Sequence, residues 1–176
     1  PCNNPPWGVL AAIDLKAGKI LWESTLGTTE ELVPLNIALP TGMPTLGGSL
    51  VTAGGVVFIG ATMDNYLRAF DAKSGRELWQ GRLPAGGFAT PMTYEYKGTQ
   101  YVVIAAGGHG QLGTPPGDTF VAFRLAREGE APSLWSRTID RPGGRIWVNL
   151  ALLLGGFMLV VSGVRWLWRR VRRSEA

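Results

Sequence analysis

Nine short runs of apolar, β-favouring residues, separated by glycine- and proline-containing turns, set the rhythm of the first 125 positions. They predict strands over residues 7–14, 20–25, 49–52, 56–61, 66–71, 77–82, 89–95, 100–106 and 119–125. Ala53-Gly54-Gly55 marks a hairpin between the third and fourth strands, and Lys97-Gly98 marks another between the seventh and eighth. Residues 27–46 hold three prolines and no period, and read as a long connection. A polar linker over 127–145 follows the last strand. The pattern then changes completely: Ile146 to Val164 is nineteen residues without a charge, with only Asn149 and Ser162 clearly polar. As a helix it covers about 28 Å, close to the roughly 30 Å hydrocarbon core of a bilayer.

Two stretches of the β-rich part repeat. Ala12 to Trp22 and Ala69 to Trp79 both read A-x-D-x-K-x-G-[KR]-x-L-W, 57 positions apart. Seven matched columns that include an Asp, a Gly and a Trp make this a repeat rather than a coincidence. Gly75, in the turn Asp71 to Arg76, suits a backbone position with φ > 0. Four short strands to a unit, closed by a Trp, are the signature of β-propeller blades. In the third unit Thr119 to Phe123 takes the place of Leu67 to Phe70, yet the D-x-K-x-G turn and the Trp do not follow. A blade needs a neighbour on both faces. The expected architecture is therefore all-β: the C-terminal blades of a propeller over 1–126, then the linker, one transmembrane helix over 146–164, and a basic tail over 165–176. A chain that opens inside a loop without Met is expected to be a fragment of a longer polypeptide, or a subunit whose partner supplies the other blades.

Charge sharpens the membrane reading and excludes another. Residues 165–176 hold five Arg and one Glu, and the other 164 residues balance at twelve basic and twelve acidic side chains. The basic character belongs to the tail and gives no reason to expect nucleic acid. Trp147 on one edge of the apolar run, and Trp166 and Trp168 on the other, fit aromatic belts. The arginines after the run place the C-terminus in the cytoplasm and the blades outside it. Its position at the C-terminal end excludes a signal peptide. Cys2 is the only cysteine, so no disulfide within the chain and no thiolate metal site can form; a partner thiol upstream is the alternative to a free one.

Chemistry-bearing residues are few. No Ser-His-Asp set, P-loop, Rossmann glycine pattern or metal triad is present. The single histidine, His109, stands in Ala105-Ala106-Gly107-Gly108-His109-Gly110, where flanking glycines leave the imidazole clear. Asp64-Asn65 lies between two strands, where the local expectation is an Asx-type turn.

The runs Gly42-Met43-Pro44, Leu46-Gly47-Gly48, Gly60 to Ala69 (GATMDNYLRA), Leu83 to Gly87 (LPAGG), Ala89 to Tyr94 (ATPMTY), Tyr101 to Ile104 and Ala105 to Gly110 with Gly117-Asp118 together carry a resemblance. So do Pro1-Cys2 and Pro5-Pro6-Trp7-Gly8. The chain resembles the C-terminal portion of the membrane-bound, pyrroloquinoline-quinone (PQQ)-dependent dehydrogenases of the glucose/quinate/shikimate group. The A-x-D-x-K-x-G-x-x-x-W repeat is similar to that family's tryptophan-docking motif, in which the Trp packs between blades. The resemblance covers about residues 1–125. It implies an eight-bladed propeller holding PQQ and Ca²⁺ or Mg²⁺ near its axis. It implies oxidation of a sugar or polyol in the periplasm, an Asp base taking the hydroxyl proton, and electrons passed to ubiquinone in the bacterial inner membrane. By motif, His109 matches the family's G-G-H-G histidine as a positioning residue near cofactor and substrate. Asp64 and Asn65 match its D-N-Y-L-R-A motif at the cofactor site. The family's catalytic Asp, quinone-binding Lys and metal ligands belong to earlier blades, so no metal ligand is expected here. Gln111 to Pro116 varies a loop beside that site. The rival expectation is a non-catalytic membrane-tethered propeller scaffold, similar to the periplasmic one that assists outer-membrane protein assembly; it shares the Asp-Gly-Trp repeat without the other motifs.

Overall fold

The computed structural model describes residues 2–127, 129–130 and 143–174; most of the predicted linker lies outside them. All nine predicted strands form. β1 (Val9–Asp14) and β2 (Lys19–Thr25) make an antiparallel pair. β3 (Ser49–Val51), β4 (Val56–Ile59), β5 (Tyr66–Asp71) and β6 (Glu77–Arg82) make a four-stranded sheet in chain order. β7 (Met92–Tyr96), β8 (Thr99–Ala106) and β9 (Thr119–Arg124) make a third sheet, also in order. Two starts fall later than the sequence suggests. The Trp7 N–H bonds Thr41 and the Gly8 carbonyl accepts from Leu26, so the ladder begins at Val9. Pro91 has no N–H to give, and β7 begins at Met92.

The repeat is as regular in space as in sequence. Asp14 Oδ1 accepts the N–H groups of Lys16 and Ala17 at 2.8 and 3.1 Å. Asp71 Oδ1 accepts those of Lys73 and Ser74 at 3.1 and 2.7 Å, and the Ser74 hydroxyl besides. These bonds hold the Asp71 carboxyl below the ordinary carboxylate value, the Ser74 hydroxyl first among them. Both copies also carry a register shift at the same place, between Ala12 and Ile13 and between Ala69 and Phe70. The two tryptophans then dock on the following sheet. The Trp22 indole N–H donates to the Ala72 carbonyl at 3.0 Å, while Ser24 bonds the Gly75 carbonyl. Trp79 meets Phe123 edge to face, with ring centroids 5.0 Å apart.

β5 is the central strand and is buried along nearly its whole length. Its alternation sends Phe70 into a cluster with Leu26, Val57, Ile59 and Leu10, against the first sheet. Leu67 goes the other way, into a cluster with Leu83, Val102, Ile104 and Ala106, against the third. The sheets thus stack face to face, and β5 serves both interfaces.

The predicted apolar helix forms as α1 (Arg145–Ser174), thirty residues long. It passes straight through the predicted boundary at Val164, because the tail that follows contains helix-forming Arg, Leu and Trp and neither Gly nor Pro. Its stretch Arg145–Ser162 is long and apolar enough to cross a membrane, and none of it is buried in the protein.

The Trp22–Gly75 contact yields a comparison. Gly18 and Gly75 occupy equivalent turns at φ +62° and +70°. A methyl group at Gly18 meets nothing within 4 Å, whereas one at Gly75 runs into the Trp22 ring. Gly75→Ala is expected to cost the left-handed backbone penalty of about 1–2 kcal/mol plus the clash with the Trp22 ring. In a Trp22→Ala background the cost of Gly75→Ala should fall towards that penalty alone, read as the thermal-unfolding midpoint of the intact protein. An unchanged cost would show that Trp22 does not dock on this turn.

Candidate functional site

Three connections converge at one end of the second and third sheets. They are the link from β4 to β5 (residues 60–65), the link from β6 to β7 (83–91) and the link from β8 to β9 (107–118). The middle one is clasped from both sides. The Ala61 N–H donates to the Gly87 carbonyl at 2.7 Å, and the Gly108 N–H donates to the Gly86 carbonyl at 2.9 Å. The Leu83 N–H closes the clasp on the Asn65 carbonyl at 2.8 Å. Gly108, at φ +68°, lies so close to the Pro115 carbonyl that any side chain would collide with it. The second glycine of G-G-H-G is thus demanded by backbone approach.

Asp64 does not make the expected Asx-type turn. Its carboxylate is fully buried and bound on both oxygens. Oδ1 accepts the Thr62 hydroxyl at 2.6 Å and Arg68 Nη1 at 3.1 Å. Oδ2 accepts the Thr28 N–H at 2.7 Å, the Thr28 hydroxyl at 3.1 Å and Arg68 Nη2. Burial alone would raise this carboxyl, but the Arg68 charge and the hydrogen bonds outweigh it and hold Asp64 below its ordinary value. Arg68 also lies 3.6 Å from the Glu77 carboxylate.

A second polar set adjoins it. The Tyr66 ring lies between the guanidinium groups of Arg68 and Arg82, at 5.3 and 5.2 Å. The Tyr66 hydroxyl donates to Glu30 Oε2 at 3.1 Å and accepts from Arg82 Nη1 at 3.0 Å. Arg82 also pairs with Glu30 and Glu31. Burial pushes the Glu30 carboxyl up, against the lowering effect of Arg82.

Asn65 and His109 are different. Asn65 sits at φ +61° and is buried, and its Oδ1 has no partner. His109 is half-buried, and its Nδ1 is enclosed without a partner. Its backbone is firmly held: the N–H donates to Thr114 Oγ1 at 2.7 Å, and the ring meets Phe88 edge to face at 5.6 Å. Among the described residues these are the two buried side chains that keep an unused hydrogen-bonding atom. Such atoms are costly unless something else completes them. The structure therefore brings Asn65 and His109 onto clasped neighbouring loops, while Asp64 is engaged by protein and shares no partner with His109.

Among the described residues no group of three or more His, Cys, Asp or Glu side chains is placed to hold a metal ion. Sequence reasoning missed Thr28, Thr62, Arg68 and Glu30. Arg68 left a signal, being a lone charge inside the apolar strand Tyr66-Leu67-Arg68-Ala69-Phe70. Thr28 left none, since it reaches Asp64 from 36 residues away.

The buried pair predicts a specific stability pattern. Asp64→Asn strands the Arg68 charge and should cost about 3–5 kcal/mol. Arg68→Met strands Asp64 likewise, and the double variant should cost less than the sum. Asp64 titrates lower in the folded state than in the unfolded state. Its contribution is present above the unfolded value near about 4 and is lost as pH falls through the lower folded value. Glu30 is raised, so its contribution has the opposite sign and declines as pH rises through its folded value. Unfolding midpoints of the intact protein should lose part of their acid limb in Asp64→Asn. Glu30→Gln should cost less at neutral pH than Asp64→Asn does. Additive single-variant effects would refute the coupling.

The β-propeller domain model of the glucose/ethanol/alcohol dehydrogenases, the PQQ family, matches residues 1–102. The chain is 55% identical over 128 residues to quinoprotein glucose dehydrogenase A of Acinetobacter calcoaceticus. It is 54% identical over 129 residues to quinoprotein glucose dehydrogenase of Escherichia coli, and 50% over 131 residues to a probable quinate dehydrogenase (quinone) of Xanthomonas campestris. Each match takes in 71% of this chain and 16% of the relative, so the chain spans about a sixth of the length of these relatives. With its three stacked sheets, docked tryptophans and G-G-H-G loop, the chain belongs to the PQQ-dependent β-propeller dehydrogenase family.

Proposed function

We propose that this chain supplies the C-terminal blades of an eight-bladed propeller in a membrane-bound PQQ-dependent dehydrogenase. The enzyme oxidises a CH–OH group of a sugar or polyol, of glucose or quinate/shikimate type, in the periplasm and passes the electrons to ubiquinone. α1 crosses the inner membrane with its basic end in the cytoplasm. The observation that carries this reading is the coincidence of two independent facts. The unused buried polar atoms of Asn65 and His109 fall on the two loops whose motifs match the family's cofactor-site motifs.

Both residues fit a quinone bearing carbonyls, carboxylates and a pyrrole N–H. The Asn65 amide offers a donor or an acceptor according to its orientation, and the His109 Nδ1 does so according to its tautomer. PQQ, when bound, accepts the hydride from the substrate carbon. The duties of this chain are positional. Asn65 and His109 complete hydrogen bonds at the cofactor or substrate, Thr114 and Phe88 fix the His109 loop, and Asp64 fixes the backbone from which Asn65 projects. The described residues do not form a Ca²⁺ or Mg²⁺ site, and Asp64 is already paired with Arg68. No step is assigned to a metal on this chain.

In the intact enzyme loaded with PQQ and Ca²⁺, His109→Ala should raise KM or the PQQ dissociation constant by about 10- to 100-fold, the size of one lost buried hydrogen bond. His109→Gln, which keeps a hydrogen-bonding group, should recover part of the loss, and Asn65→Ala should behave like His109→Ala. Wild-type KM, kcat and PQQ affinity in both alanine variants would overturn the assignment.

A further inference from the structure

The connection between the first two sheets shows an unexpected attachment. Its turn Pro34–Asn36 packs along the start of α1. Asn149 Nδ2 donates to Asn36 Oδ1 at 2.8 Å, and the other end of the Asn36 amide donates to the Glu30 carbonyl at 2.9 Å. Leu35 shares a shallow cavity with Asn149, Leu152 and Leu153. Arg145 Nη1 binds Glu31 Oε1 at 2.7 Å. The turn is therefore fastened beside the first two turns of the helix.

This placement meets a length constraint. The charge-free run starts at Ile146, and Leu153 lies about 12 Å along the helix from Arg145. If the bilayer began only beyond the turn, residues 154–164 would have to cross it alone. They cover about 16 Å, roughly half the hydrocarbon thickness. A helix that spans must use its first two turns inside the membrane, and whatever packs against those turns goes in with them. The side chains around the turn suit that position. Leu32, Ile37 and Leu39 are 56%, 38% and 50% exposed, and Trp147, in the first turn of α1, is 70% exposed. The Arg145–Glu31 pair would mark the polar edge.

We propose that residues 32–39 form a membrane wedge, with Leu32, Ile37 and Leu39 lodged in the acyl–headgroup boundary of the bilayer next to α1. The partner is lipid, and the wedge rests on the reading that α1 spans. It gives the β-sheets a point of attachment besides α1 and restrains their tilt about the helix axis. The wedge continues directly into Thr28, whose N–H and hydroxyl hold Asp64. The membrane surface and the loop carrying Asn65 are thus joined by one short piece of chain.

The test is depth measurement by nitroxide spin labels in the full-length enzyme, reconstituted into phosphatidylethanolamine/phosphatidylglycerol nanodiscs and freed of other reactive cysteines, including Cys2. Labels go on Leu32→Cys and Leu39→Cys, whose side chains are exposed and tolerate replacement. Phe157→Cys serves as the reference for the span, and Lys73→Cys as the reference for water. The labels at 32 and 39 should collide with O₂ in preference to a water-soluble nickel chelate, with a ratio between those of 157 and 73. Ratios at 32 and 39 equal to that at 73, with 157 still lipid-like, would overturn the wedge and leave the span intact. A water-like ratio at 157 would overturn the spanning reading and the wedge together.

Discussion

The buried Asp64–Arg68 pair is the constraint on which the rest depends. Two charges taken out of water are tolerated only when their mutual attraction and further hydrogen bonds replace lost hydration. Here that demand reaches three parts of the chain. Arg68 projects from β5 between the first and second sheets, Asp64 and Thr62 come from the loop before it, and Thr28 comes from the connection after β2. None can move alone without stranding a charge. The pair thereby fixes the path of the 60–65 loop and, with it, the buried position of Asn65. A loop of small residues such as Gly60 and Ala61 would otherwise have little to hold it.

The two sheet–sheet interfaces are built on different principles, and the difference is informative. Between the second and third sheets the contact is apolar throughout its centre, with Leu67, Leu83, Val102 and Ile104 packed together and Trp79 against Phe123. Between the first and second, an apolar cluster around Phe70 is joined to the Asp64 and Glu30 networks. Apolar faces bind one another with little discrimination. A polar interface whose charges are left unpaired in any other arrangement accepts only its own neighbour. In a stack of similar sheets, that supplies order. The repeated Trp contacts give adhesion, and the polar networks give address.

The parts legible in the sequence are those governed by short-range rules. Strand periods, the Asp14 and Asp71 turns, the glycines at positive φ and the Trp spacing are local, and the structure realises each with matching hydrogen bonds. The family motifs led to His109, Asp64 and Asn65, and geometry then separated them: Asp64 is engaged by Arg68 while the other two keep an unused atom. Spacing alone does not predict that division, since Thr28 and Asp64 meet through tertiary contact. The buried Glu30 was hidden for the same reason. Its partners Tyr66 and Arg82 lie 36 and 52 residues away, and nothing in the polar pair Glu30-Glu31 distinguishes a buried carboxylate from a solvated one.

The least periodic part of the chain proves to be the most connected. Residues 27–46 show no repeat because they obey no single secondary structure; each residue answers to a different neighbour. Thr28 answers to Asp64, Glu30 to Tyr66 and Arg82, Glu31 to Arg82 and Arg145, and Asn36 to Asn149. A connection whose only task is to join two sheets needs none of these partners. One that must hold the 60–65 loop, the second sheet and the start of α1 in a fixed relation needs all of them. Leu35 at φ +64° and Asn36 at φ +55° fit that account, since a bulky residue in the left-handed region persists only where surrounding contacts over-determine it. Those contacts are the helix on one side and Glu30 on the other. The same few residues thus carry the constraint from α1 to the buried ion pair, and from the ion pair to Asn65.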